Sequence, residues 1–232
     1  MINKLQFTAL YTLVRNEIMR LFRIFNQVFF PPVITTFLYF LIFGAIIGER
    51  IGTIHGVNYA EFIAPGLIMM AVITNAYSNV STSLFNMRFQ KNIEELLVSP
   101  MHYAFILMGF TLVGILRGLL VATLVFLVSC FFVDIKLSIL PATLGVVSLV
   151  SALFALAGFT NGLLARNFDE IALIPTFILT PLTYLGGVFY DTAMLPPFWR
   201  EASFFNPIFY MVNALRQVMI GKPFLNLPLA LF

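Results

Sequence analysis

Charge is what this 232-residue chain has least of: 10% of its residues are charged, 60% are hydrophobic, and its mean hydropathy is +0.98. A water-soluble domain carries about 25% charged residues to cover its surface. Soluble enzymes, nucleic-acid binders and disordered tails are thereby excluded, and an integral membrane protein remains. Cysteine is as scarce. Cys130 stands alone in an apolar run, so no internal disulfide forms and nothing implies an oxidising compartment. The two histidines, His55 and His102, fall at opposite membrane faces on the topology below and cannot share a metal. There is no H-E-x-x-H, no pair of intramembrane carboxylates, and no Ser or Cys with a partner base. The sequence offers no catalytic residues and no metal ligands. It also lacks G-x-x-x-x-G-K-[ST]: its Gly-Lys pair, Gly221-Lys222, is followed by Pro223 with no glycine five residues earlier, so the chain holds no ATP in a P-loop.

What is present is long apolar runs. A spanning helix needs about 20 apolar residues, or about 30 Å at 1.5 Å per residue. Five segments meet this, at 28–48, 60–82, 104–133, 138–164 and 171–190, and a sixth begins at Phe224 and has only the residues to Phe232. No repeat or soluble linker divides them, so residues 1–232 read as one all-α membrane domain. Ahead of the first span, over 4–25, Leu10, Leu13, Val14, Ile18, Leu21, Phe22 and Phe25 recur at helical spacing. Thr8, Thr12, Arg15, Asn16, Arg20 and Arg23 fall on the other side. That pattern predicts an amphipathic helix in the headgroup plane with a basic polar face.

Basic residues set the orientation. With the N-terminus cytoplasmic, the inner side holds Lys4, Arg15, Arg20, Arg23, Arg88, Lys91 and Arg166; the first two outer loops hold Arg50 and Lys136, and the segment after Tyr190 adds Arg200, Arg216 and Lys222. In the inner loop after the second span, Asn92 is expected to cap a short helix, with Glu95 reaching back to it and Pro100 ending it. Its apolar pair Leu96-Leu97 suits docking of a soluble partner or burial in the interface. Residues 191–221 mix prolines and aromatics with few charges after a break at Gly186-Gly187, as short re-entrant helices in the outer leaflet would. Trp199 and Tyr210 suit headgroup depth there.

Within the spans, Arg117 lies about 24 Å beyond Met101 at 1.5 Å per residue. A charge at that depth must face protein or water, either on a translocation path or paired with Glu61 or with carbonyls across a dimer. Asn75 and Asn79, with Thr74 and Ser78, and Asn161 beside Thr160, line an access cavity or are satisfied by neighbouring helices. Glycines four apart, at 44 and 48, 114 and 118, and 158 and 162, let helices approach closely, most simply within one chain.

Two stretches carry a resemblance. Asn206-Pro207-x-x-Tyr210, with Arg216 six residues later, resembles the signature of ABC-2 type permeases, and Ile93 to Pro100 resembles their coupling helix. The likeness is nearest to the small YadH-like inner membrane permeases of bacteria, through runs such as Pro31 to Thr35 and Pro181 to Tyr190. It implies a type V exporter-like transmembrane domain with an N-terminal interface helix and about six spans, the last of them truncated here. Arg88, Asn92, Glu94, Glu95, Leu96, Leu97, Ser99 and Pro100 would then couple to a separate ATPase. Two ATPase copies would bind ATP and Mg and drive a permease homodimer embedded in membrane lipid, with no cofactor on this chain. The cargo would be a lipid, polysaccharide, drug or other amphiphile. The alternative is a passive channel or a membrane scaffold that docks a soluble regulatory protein.

Overall fold

A computed structural model describes residues 2–99, 101–133 and 140–221. Pro100, Lys136, the start of the fourth span at Ser138, Lys222 and the beginning of the sixth span at 224–232 lie outside the described residues. Helix α1 (Ile2–Arg23) is separated by Ile24 alone from α2 (Phe25–Ile51), which contains a π-helical stretch, Phe40–Ile47. A hairpin follows: β1 (Thr53–Ile54) pairs antiparallel with β2 (Val57–Asn58). Its turn places both His55 and Gly56 at positive φ, 52° and 70°, the geometry that matches strand twist in a two-residue loop. This is a small departure from the expected all-helical chain. Then come α3 (Tyr59–Phe89), α4 (Ile93–Val98), α5 (Tyr103–Ser129) and α6 (Leu140–Leu164). A helix over 168–184, α7, has a π-helical middle at Ile174–Leu179. A 3-10 turn at Thr192–Met194, α8 (Pro197–Phe204) and α9 (Pro207–Ile220) complete the described chain.

Among the described residues, four helices, α2, α3, α5 and α6, are long and apolar enough to cross a membrane. In the fifth expected span, 171–190, the helix ends at Tyr184 and the chain turns at Gly187, where φ is +73°. A glycine takes that conformation without steric cost, and Pro175 and Pro181 each remove a ladder donor earlier in the segment. The third span also stops short, at Ser129 rather than Val133.

The core sits around α3, the most enclosed of the long helices, against α5, α6 and α9. Small residues set the spacing. Gly158 of α6 lies against the Tyr77 carbonyl, and Gly162 leaves only 2.8 Å between an added Cβ and the Ser81 carbonyl oxygen. Gly114 meets Ala155, and Gly118 meets Ser151. These glycines therefore serve packing within the chain, the simpler of the two expectations. By contrast α2 is mostly exposed, with Ile34, Phe37, Leu38 and Leu41 facing outward, as a lipid-facing helix would be.

Helix α1 runs along α5: Phe7 meets Phe105 edge-on at 5.9 Å, Leu10 and Leu13 pack on Gly109, and Leu21 clusters with Val113. Its buried stripe is Leu13, Glu17 and Leu21. Arg20, expected on the basic polar side, instead turns inward, because Glu17 one turn back offers it a carboxylate.

Candidate functional site

Three groups of polar or displayed residues stand out, at the α4 end of the bundle, in its middle and at the hairpin end. At the α4 end, the expected capping box is not formed. Asn92 has helical dihedrals and makes no cap bond, its amide instead reaching Gln90 at 3.3 Å. The turn is made by Lys91, at φ +63°, whose carbonyl accepts from Glu94 N at 3.1 Å. A reciprocal pair of this kind does occur at α7: Asn167 Oδ1 accepts from Glu170 N at 2.8 Å, while Glu170 Oε2 accepts from Arg166 N at 2.7 Å.

The pair Leu96-Leu97 also divides. Leu96 and Ile93 pack against the cluster of Leu13, Leu84 and Met101, whereas Leu97 is 68% exposed and Val98 86%. Helical spacing puts adjacent residues about 100° apart, so one apolar side chain anchors α4 and the next is displayed. Glu94 and Glu95 are exposed beside them, and Ser99 Oγ donates to the Leu96 carbonyl at 2.6 Å. Arg88 faces the other way. Its Nη1 donates to the carbonyls of Gly162, Leu163 and Ala165, satisfying acceptors at the end of α6 that the helix cannot pair itself. Nearby, Phe168 meets Phe85 and Phe89 edge-on while those two stack on each other, with Phe89 and Phe168 partly displayed.

In the middle of the bundle a polar chain joins α1, α3 and α5. Glu17, 6% exposed, accepts from Ser83 Oγ at 2.7 Å and from Arg20 Nη2 at 2.9 Å. Arg20 Nη2 also donates to Asn79 Oδ1 at 3.1 Å, and Arg117 Nη1 donates to that same oxygen at 3.1 Å. Arg117 Nη2 reaches Asn75 Oδ1 at 3.1 Å. Of the alternatives for Arg117, the pairing with Glu61 is not formed; its partners are amides on the same face of α3, where Asn75 and Asn79 are one turn apart. Glu17 escapes sequence reading; only its spacing of three from Arg20 marks it. Asn161 is separate, its amide donating to the Ile171 carbonyl at 3.2 Å. Asn75 and Thr74 also line a cleft of about 240 Å³ between α2 and α3, with Gln27, Thr35 and Tyr39 opposite.

At the hairpin end the Asn206-Pro207-x-x-Tyr210…Arg216 run forms one joint. Asn206 Oδ1 caps α9 by accepting from Ile208 N at 3.0 Å, and its amide donates to the Leu182 carbonyl at 2.6 Å, tying α9 to α7. Pro207 takes the first helical position, where its missing N–H is no loss. Tyr210 donates to the Phe204 carbonyl at 2.8 Å. Arg216, 3% exposed, donates to the carbonyls of Phe62 at 3.2 Å and Gly187 at 2.8 Å and to Asn213 Oδ1 at 2.8 Å. Its guanidinium lies 3.9 Å over the Phe62 ring. Val188 seats against Gly66, where a Cβ would approach to 2.9 Å. His55 of the hairpin pairs with Asp191 in the loop after α7.

Residues 8–220 match the ABC-2 type transporter family. The chain is 51% identical over 217 residues to the inner membrane transport permease YadH of Escherichia coli K12, an alignment covering 94% of this chain and 85% of that one. It is 24% identical over 184 residues to nodulation protein J of Rhizobium leguminosarum bv. viciae, covering 79% and 71%. With nodulation protein J of Rhizobium meliloti it shares 22% over 187 residues, covering 80% and 71%.

Proposed function

Since the chain belongs to the ABC-2 type transporter family, we propose that it is the permease subunit of an exporter powered by a separate ATPase. It is a multi-pass protein of the inner membrane, with the α4 end in the cytoplasm and the hairpin end outside. Arg88, Lys91 and Arg166 gather at the α4 end, in keeping with the basic bias of cytoplasmic loops. The observation that carries the reading is the display of Leu97 and Val98 on a short helix held in place by Ile93 and Leu96. Two bare apolar side chains flanked by Glu94 and Glu95 suit a groove with an apolar floor and a basic rim on a soluble partner. Two permeases and two ATPases make the working complex, and the cargo is a lipid, polysaccharide, drug or other amphiphile. ATP and Mg belong to the partner.

The test is co-purification with candidate P-loop ATPases. Leu97→Asp and Glu94→Arg are expected to weaken the complex at least about tenfold, the loss of a buried anchor or a reversed charge being worth 1.4 kcal/mol or more. Both variants should insert normally, because neither side chain packs within the bundle. Full ATPase association in both would overturn the docking role of α4.

A further inference from the structure

The polar chain in the middle of the bundle is unbalanced. It holds two guanidiniums, Arg20 and Arg117, and one carboxylate, Glu17, and Glu17 is the only carboxylate ion-paired to either among the described residues. Three of its N–H groups are buried without an acceptor there: Arg20 Nε, Arg117 Nε and Asn79 Nδ2. Asn79 is 3% exposed, and its orientation is fixed because both guanidiniums donate to its Oδ1. All three orphans are donors. A surplus of one positive charge with spare donors is complementary to an oxyanion, because charge-assisted hydrogen bonds to such a group satisfy both deficits together. An uncompensated cation at this depth is otherwise costly.

The surroundings say what carries the oxyanion. Asn75, which holds Arg117 Nη2, is also a wall of the cleft between α2 and α3, and Gln27, seven residues beyond Arg20, lines the facing wall. The rest of that cleft is largely apolar, through Val28, Pro31, Leu67 and Met70. A group that reaches the guanidiniums from the cleft therefore trails through apolar surface.

We propose that Arg20, Asn79 and Arg117 bind the phosphate or carboxylate head of an acidic amphiphile whose chain lies in the α2–α3 cleft. Glu17 competes with that head for Arg20 and limits its affinity. The purpose of such binding, selection of acidic cargo, rests on the exporter reading above; the binding itself needs no ATPase.

The experiment uses the full chain in a neutral maltoside detergent, with dodecyl phosphate as probe and dodecylphosphocholine as the zwitterionic control of equal tail. Adducts are counted by native mass spectrometry. Dodecyl phosphate is expected to bind about tenfold or more tightly than the control, and Arg117→Gln to abolish the difference, in line with one charge-assisted bond. Asn79→Asp keeps an acceptor for both guanidiniums and supplies the missing charge internally. It should lose the phosphate preference while unfolding at or above the parental temperature, so a folding defect cannot mimic the result. Glu17→Gln should tighten binding severalfold, the direction opposite to damage. Equal binding of the two head groups, or Asn79→Asp binding like the parent, would overturn the proposal. Competition by phosphatidylglycerol identifies a bilayer lipid as occupant, and its failure to compete identifies a single-chain cargo; both support the site. Inorganic phosphate competing at equal concentration would refute the role of the cleft. Loss of ATPase association with binding intact would sink the exporter reading alone, and the converse would sink this one alone.

Discussion

Replacing Arg216 with Met tests how the hairpin end is held. The thioether keeps much of the length and none of the donors. The Gly187 carbonyl and Asn213 Oδ1 lose this donor at once, the Phe62 carbonyl keeps only its place in the α3 ladder, and the stack on Phe62 loses its charge. Each buried acceptor left unpaired costs about 1–3 kcal/mol. Against this, the variant no longer buries a cation, which recovers several kcal/mol of desolvation. Asn213 also keeps its amide bond to the Phe209 carbonyl at 2.9 Å. The balance is a loss of about 3 kcal/mol, the low end of what breaking a buried charged contact costs. For a chain of this size that lowers the midpoint by about 6–12 °C. The assay is intrinsic fluorescence, since Trp199, the single tryptophan, sits on α8 at the same hairpin end of the bundle. Its emission should shift red in the folded variant and melt ahead of far-ultraviolet circular dichroism. Arg216→Lys, which keeps the charge but not the fork that reaches Phe62 and Gly187 together, should fall between the two. A Met variant with parental emission and a midpoint within a degree of the parent would refute the assignment of Arg216 as the joint between α9, α3 and the Gly187 turn.

Further outcomes follow from packing and orientation. Gly158→Leu should prevent α6 from closing on α3, because the Tyr77 carbonyl that an added Cβ meets is backbone and cannot move aside; a cost well above the usual 1–3 kcal/mol of overpacking is expected, read as loss of a monodisperse peak on size exclusion. Gly145→Ala, with nothing within 4 Å of the added carbon, should be neutral in the same assay. In a Cys130→Ser background, which removes the exposed native thiol, a cysteine placed at Thr53 should react with an impermeant reagent in whole cells, and one at Val98 only after lysis. The reverse pattern would invert the topology.

The long helices were legible because their signal is length and apolarity, which burial cannot hide. Where the sequence misleads, two residues compete for one role. Asn92-x-x-Glu95 and Asn167-x-x-Glu170 are equivalent as strings, yet only the second caps, because Asn167 keeps extended dihedrals while Lys91 takes the turn that Asn92 would have needed. For Arg117 the sequence left open a translocation path, Glu61 or carbonyls across a dimer, and its partners are Asn75 and Asn79, while the carboxylate that joins the same chain of bonds, Glu17, comes from α1, distant in sequence. The division of Leu96 from Leu97 depends on which side of a six-residue helix meets Leu84 and Met101, and that is a tertiary fact. The Asn206 to Arg216 run was legible as a pattern, but its targets, Phe62, Leu182 and Gly187, lie on other segments.

The single non-helical residue between α1 and α2 has a mechanical meaning. Ile24 departs from helical dihedrals, with φ −107° and ψ 31°, yet Ile24 N still bonds the Arg20 carbonyl at 3.2 Å. Two torsions at one residue therefore govern the direction of a rod of 22 residues, about 33 Å long at 1.5 Å per residue. A 10° turn there sweeps the far tip through about 6 Å at that length. Glu17 and Arg20 grip the bundle only four to seven residues from the pivot, about 6–10 Å along the helix axis. A force at the tip thus acts on them with several times their own leverage. A partner pressing near residue 4 would work first against the contacts of Phe7, Leu10 and Leu13 with α5 and then on that grip, whereas the same push near residue 20 would be absorbed.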